Sequence, residues 1–208
     1  MKKYEFTGET KEVQLLSRTA VLHRIRALVT FTNVEVGEVG GWIEKEENLS
    51  HEASAWVYGN AKVYGNAKVH GDAEVWGNAK VHGDAEVWGN AKVHGDANVY
   101  GNADVYGNAK VYGNADVYGN AKVYGNAKVF SPDSMLTVTP VGSCTRCATF
   151  FRTKDKTINV TCSWFLGSLE EFKSKYVQES GCDKKQTKII KKACKLAEKW
   201  IDLESDLE

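Results

Sequence analysis

Proline is scarce in this 208-residue sequence: only Pro132 and Pro140 occur, and both fall just after its most regular stretch. The bends must come from other residues, and glycine, present 19 times, supplies them. Net charge is also absent, with Lys+Arg and Asp+Glu equal at 27 each. That balance gives no global pull toward nucleic acid or an anionic membrane. Long apolar runs are missing. The most apolar stretch outside the repeats, Ala20 to Phe31, is broken by His23, Arg24 and Arg26, so no segment reads as a membrane span. The opening MKKYEFTGETKEVQLL has no apolar leader core. Five cysteines without a leader imply a reducing cytoplasm and free thiols.

What is present is a repeat. Valine recurs every six residues from Val57 to Val129, alanine stands two residues before each valine, and Gly-Asn or Gly-Asp lies between. Ala and Val, two apart, face one side of an extended strand, and the residues flanking Val face the other. Gly followed by Asn or Asp is a turn signal, since both tolerate positive φ. A hairpin would need two long strands beside that turn. Only four residues separate the turns here, so the chain must coil and stack on itself. Three units make a coil of about eighteen residues. The thirteen valines then give slightly more than four coils, a prism about 20 Å tall at about 4.8 Å per strand spacing.

The stretch from Ala55 to Phe130 resembles the left-handed parallel β-helix of hexapeptide-repeat proteins. The preceding GGWIEKEENLS, Gly40 to Ser50, is similar to the lead-in of bacterial and prophage hexapeptide proteins often labelled transferases. The resemblance implies a mainly β fold. The expected organisation is an N-terminal β cap over 1–48, a left-handed β-helix over 49–131 and a small C-terminal α/β module over 132–208. Many members are acyltransferases, usually trimeric, that use acyl-CoA and a histidine base set between subunits. Fold does not fix function.

On the outer faces, the residue after each valine is aromatic or His. Counting every third unit gives three ladders: Tyr58, Trp76, His94, Tyr112 and Phe130; Tyr64, His82, Tyr100 and Tyr118; His70, Trp88, Tyr106 and Tyr124. They read either as simple stacking between coils or as trimer contacts. VHGDAEVWGNAK recurs with a twelve-residue period, so His70, His82 and His94 fall on three different faces. A catalytic base needs one defined pocket and an orienting partner, so no catalytic residue is assigned, with His94 as the candidate if acyl transfer holds. The residues before valine carry mixed charges, which argues against duplex nucleic acid. Lys92, Lys110 and Lys128 beside Tyr112 form a short basic-aromatic stripe suited to an anionic ligand.

After Pro132 the composition changes. Leu136 to Val141 reads as a strand, and Ala148 to Arg152 with Thr157 to Ser163 as a hairpin. Ser168 with Glu171 is a capping box opening a helix to about Gln178. A second helix, capped by Asp183, has Ile189, Ile190, Ala193, Leu196, Ala197, Trp200 and Ile201 on its apolar face. In the cap, Arg18 to Phe31 alternates around Val21, Ile25, Leu28 and Val29. Cys144 and Cys147 form a CxxC, but the remaining cysteines lack metal-ligand spacing, so no metal is assigned. The loop 140–146 places Ser143 and Arg146 where, with Arg152, Phe151 and Trp164, they would grip a phosphate and stack a base. The leading expectation is therefore a non-catalytic homotrimeric scaffold without a cofactor. It would be cytoplasmic, in a bacterial host cell if phage-encoded, and would present a module that binds a host protein or a small anionic, nucleotide-type ligand. An acyl-CoA-dependent transferase and a structural spacer are the alternatives.

Overall fold

Valine and alanine turn inward throughout, and the chain winds into a parallel β-solenoid. A computed structural model describes residues 1–141, 146–178 and 184–205. Three strands precede the repeats: β1 (Tyr4–Gln14), β2 (Thr19–Ala27) and β3 (Val39–Ile43). Thirteen two-residue rungs follow, from β4 (Trp56–Val57) to β16 (Lys128–Val129). Each rung pairs in parallel with the rung eighteen residues on, as Val63 with Val81 and Val81 with Val99. Three walls result. Wall 1 stacks β3, β5, β8, β11 and β14; wall 2 stacks β6, β9, β12 and β15; wall 3 stacks β4, β7, β10, β13 and β16.

The prism is two rungs longer at its N-terminal end than the valine count predicts. Ile43 pairs with Val63 and Leu49 bridges to Val69, so Ile43, Leu49 and Val57 form a first coil beneath the regular four. The five coils share one core in which every repeat valine and alanine is buried. Residues 40–48, expected in the cap, are thus part of the prism. At its first corner a 3-10 turn (Glu46–Asn48) replaces the Gly-Asn signal. Asn48 is fully buried there. Its Oδ1 accepts from the amides of Glu44 (3.2 Å) and Lys45 (2.9 Å), and its Nδ2 donates to the carbonyls of Gly65 (3.1 Å) and Ala67 (2.8 Å).

The regular corners show why glycine and asparagine alternate. Gly71 sits at φ +66°, and a Cβ there would lie 2.9 Å from the amide nitrogen of Gly89 on the next coil. The following side chains form ladders: Asn66 donates to Asp84 (3.0 Å), Asn78 to Asp96 (3.0 Å) and Asn90 to Asn108 (3.3 Å). Because the duplicated unit is twelve residues and the coil eighteen, Asp72, Asp84 and Asp96 fall on separate corners and never stack on one another.

Both ends are covered. β1 and β2 pair antiparallel, and β2 pairs with β3, so this hairpin extends wall 1 below the first coil. Tyr4, Ile25, Ala27, Val34 and Trp56 close the base of the core. In β2 the buried residues are Ala20, Leu22, Ile25 and Ala27, while Val21 and Leu28 are exposed, which shifts the inward face from the expected one. At the other end β17 (Met135–Val141), β18 (Arg146–Arg152), β19 (Ile158–Cys162) and β20 (Phe165–Ser168) form an antiparallel sheet. Helices α1 (Leu169–Lys173), extended by a π turn (Ser174–Gln178), and α2 (Lys184–Trp200) pack against it. The Ser168–Glu171 capping box forms. The buried face of α2 is Ile190, Ala193, Cys194 and Ala197, continued by Ile201 just past its end. Ile189, Leu196 and Trp200 are exposed, so the helix is turned from the expected face. Cys162 and Cys194 lie in this module's core, and burial pushes the Cys194 thiol up to about 11. Cys144, Cys182 and Asp183 lie outside the described residues.

Threonines of the sheet cap the last coil. The Lys122 amide donates to Thr149 Oγ1 (3.2 Å), and Thr161 Oγ1 donates to the Lys122 carbonyl (2.9 Å). No helix among the described residues is long and apolar enough to cross a membrane.

Candidate functional site

The aromatic slots form stacks between coils. His82 lies between Tyr64 (4.8 Å) and Tyr100 (5.1 Å), with all three rings within 2° of parallel. His94 lies between Trp76 (4.3 Å) and Tyr112 (5.1 Å). Both imidazoles are held below their ordinary pKa, by burial first and by neighbouring lysines second. His70 differs. It stacks on Trp88 above, at 6.1 Å, but the residue one coil below it is Ser50, at the irregular first coil. One face of its ring therefore has no aromatic cover among the described residues.

That face looks onto a cleft of about 670 Å³ on wall 2, lined by Glu46, Glu47, Ser50, His51, Lys68, His70 and Glu86 among others. The irregular first coil creates the hollow, because its chain departs from the six-residue spacing between Leu49 and Val57. His51 is fixed on two sides: its Nδ1 accepts the Lys3 amide (3.2 Å), and its ring stacks on Tyr4 at 4.3 Å. An accepting Nδ1 leaves the proton of the neutral ring on Nε2, 3.8 Å from Glu46. Glu46 is paired with Lys2 (2.7 Å), which holds its carboxyl below the usual range. Lys68 and Glu86 face each other at 3.8 Å across the cleft wall. Two imidazoles, carboxylates and an ammonium thus share one concavity, a set of groups able to exchange protons. Sequence reasoning missed it, because His51 and Glu46 lie in the stretch without repeats.

Of the residues singled out for ligand binding, Phe151, Arg152 and Trp164 are not gathered into one site. Phe151 is fully buried at the top of the coil core, edge-on to Tyr124 at 5.4 Å. Arg152 is buried over Phe130 at 4.9 Å and donates to the carbonyls of Leu203 (3.3 Å) and Ser205 (2.6 Å), which anchors the C-terminal tail. Trp164 is 94% exposed at the turn between β19 and β20, at the opposite end of the sheet, since Arg152 pairs with Ile158 and Ala148 with Cys162. Ser143 and the Arg146 side chain lie outside the described residues. Lys92, Lys110 and Lys128 do run in register on β10, β13 and β16. Tyr112 stacks beside them, between His94 and Phe130. Lys92, however, is paired with Glu74 at 2.6 Å.

No family model matches the chain. A protein of Escherichia coli (strain K12) named "Uncharacterized acetyltransferase YdcK" is 28% identical over 87 residues, covering 36% of this chain. The match spans 27% of that protein's length. The solenoid is hexapeptide-repeat-like, with three six-residue units per coil, and similarity to a protein so named is consistent with that architecture.

Proposed function

We propose that this chain is an acyltransferase of the hexapeptide-repeat type, acting from the wall 2 cleft with His70 as general base. The supporting observation is the placement of His70, which lines the cleft with Glu46, His51, Lys68 and Glu86, whereas His82 and His94 sit between rings within their stacks. In the step, an acceptor hydroxyl or amine attacks the carbonyl carbon of an acyl thioester such as acetyl-CoA. The new C–O or C–N bond forms as the C–S bond breaks. His70 takes the acceptor's proton and returns it to the departing thiolate, so charge and protons balance. Ser50 and Lys68, which line the same cleft, are the donors assigned to the developing tetrahedral oxygen. The aromatic faces beside the cleft suit association into a homotrimer, in which a neighbouring wall would complete the donor groove.

A second reading rests on a separate observation. From Trp56 to Phe130 every unit is a two-residue rung and a turn, with no inserted loop to wall a site. That regularity favours a non-catalytic trimeric scaffold presenting its C-terminal module to a host protein or a small anionic ligand. Thioester turnover separates the two. On the acyltransferase reading, purified protein releases free thiol from acetyl-CoA in an acceptor-dependent way. His70→Ala then lowers kcat by about 10²–10⁴-fold. If wild type shows no turnover with hydroxyl or amine acceptors, and no thermal shift with acetyl-CoA, the scaffold reading stands instead.

A further inference from the structure

At the far end of the prism, Lys110 and Lys128 lie directly opposite each other on neighbouring rungs of wall 3. Like charges so placed repel. Other lysines meet a carboxylate on an adjacent rung, as Lys92, which also lies opposite Lys110, meets Glu74 (2.6 Å) and Lys122 meets Asp104 (2.7 Å). Among the described residues neither Lys110 nor Lys128 has such a partner. Lys62 and Lys80 form another like pair on wall 1, but the third cation near it, Lys11, is drawn over the Trp42 ring at 5.7 Å. At Lys110 and Lys128 a third ammonium instead joins the pair. The tip of the β18–β19 hairpin is pinned to the last corner of the prism, with the Lys154 amide donating to the Asn126 carbonyl (2.9 Å) and Thr153 bridging to Ala127. This anchoring puts Lys154 on the rim of a cleft of about 290 Å³ lined also by Asn108, Lys110, Asn126 and Lys128. Asn108, which lines the cleft, accepts from Asn90 through Oδ1 (3.3 Å) and keeps its amide NH₂ as a donor.

We infer that this cleft binds a small phosphate-bearing anion. The three ammonium groups neutralise it, and the two asparagine side chains supply neutral hydrogen bonds. The anion in turn relieves the repulsion between the stacked lysines. The site lies on a different wall from His70 and does not depend on acyl transfer. Two sources share the chemistry: a free nucleotide, and the phosphate end of a thioester donor such as acetyl-CoA.

Calorimetric titration of the full chain with pyrophosphate tests the inference. Saturable binding is expected, weakened about tenfold or more by either Lys110→Ala or Lys154→Ala and reduced by added salt. Both lysines are exposed, and unchanged melting temperatures of the free variants would show that folding is intact. Displacement of pyrophosphate by acetyl-CoA assigns the site to the donor, and displacement by ADP alone assigns it to a free nucleotide. Unchanged pyrophosphate binding in His70→Ala keeps this result separate from the catalytic reading. Absence of saturable binding, or equal affinity in the Lys110→Ala/Lys154→Ala double variant, overturns the inference.

Discussion

Asn48 and Lys3 show how single polar side chains hold the irregular first coil. Two of the four hydrogen bonds of Asn48 close the coil's first corner, and two tie it to the corner above. Asn48→Ala leaves those backbone groups buried and unpaired, and the expected loss is about 2–4 kcal/mol. Asn66→Ala, at an exposed regular corner, should cost under about 1 kcal/mol. Urea denaturation of the two variants checks the difference. Lys3 is buried at the base of the prism, where its ammonium donates to the carbonyls of Ala53 (3.3 Å) and Ala55 (2.8 Å) and lies over Phe31. Burial pushes its pKa down from 10.5 to about 8, with Asp72 opposing. Between those values the unfolded chain keeps a proton that the folded chain has released, so stability rises with pH across that window. The tyrosines act in the opposite sense from about pH 10, because burial holds residues such as Tyr64 above their ordinary 10.0 while the unfolded chain ionises. Cys194 also acts in that opposite sense from about pH 9, since burial raises its thiol from 9.0 to about 11, so the clear range is about pH 8–9. Wild type should become more stable across it, and Lys3→Met should lose that rise, as read from urea midpoints at each pH.

Among the elements, the rungs are the part most legible in the sequence. A six-residue period of valine with alanine two positions before it leaves few alternatives to three stacked walls, and the ladders counted from it pair as expected. The first coil escapes that count for a physical reason. Ile43 and Leu49 keep the six-residue spacing, but two extra residues before Val57 and the Asn48 corner erase the Gly-Asn signature. The same irregularity hides the candidate site, whose His51 and Glu46 acquire meaning only when Leu49 docks beside Val69. Arg152 and Phe151 read as ligand groups because alternation within one strand does not reveal that its far face lies on the end of a prism. That contact also explains the threonines of β18 and β19. Thr149 and Thr161 are cross-strand partners that together satisfy the amide and carbonyl of Lys122 on the last rung of wall 2. Thr161→Val should cost about 0.5–1.5 kcal/mol. The loss should appear as faster hydrogen exchange in β15, at residues 122–123, while the rungs of coils two and three stay protected.

At the scale of the whole molecule, the two proposed sites both fall where the regularity of the prism fails. The first coil breaks the repeat and opens the His70 cleft. The last coil meets the hairpin tip and gathers three lysines. Between them the duplication unit and the coil length disperse like residues, so the central histidines and aspartates stabilise stacks and corners. The most direct test of this division is acceptor-dependent thiol release from acetyl-CoA by wild type, His70→Ala and His94→Ala side by side. The account predicts turnover in wild type, loss of about two orders of magnitude or more in His70→Ala, and a change of no more than about threefold in His94→Ala. Activity that survives in His70→Ala but disappears in His94→Ala would contradict it.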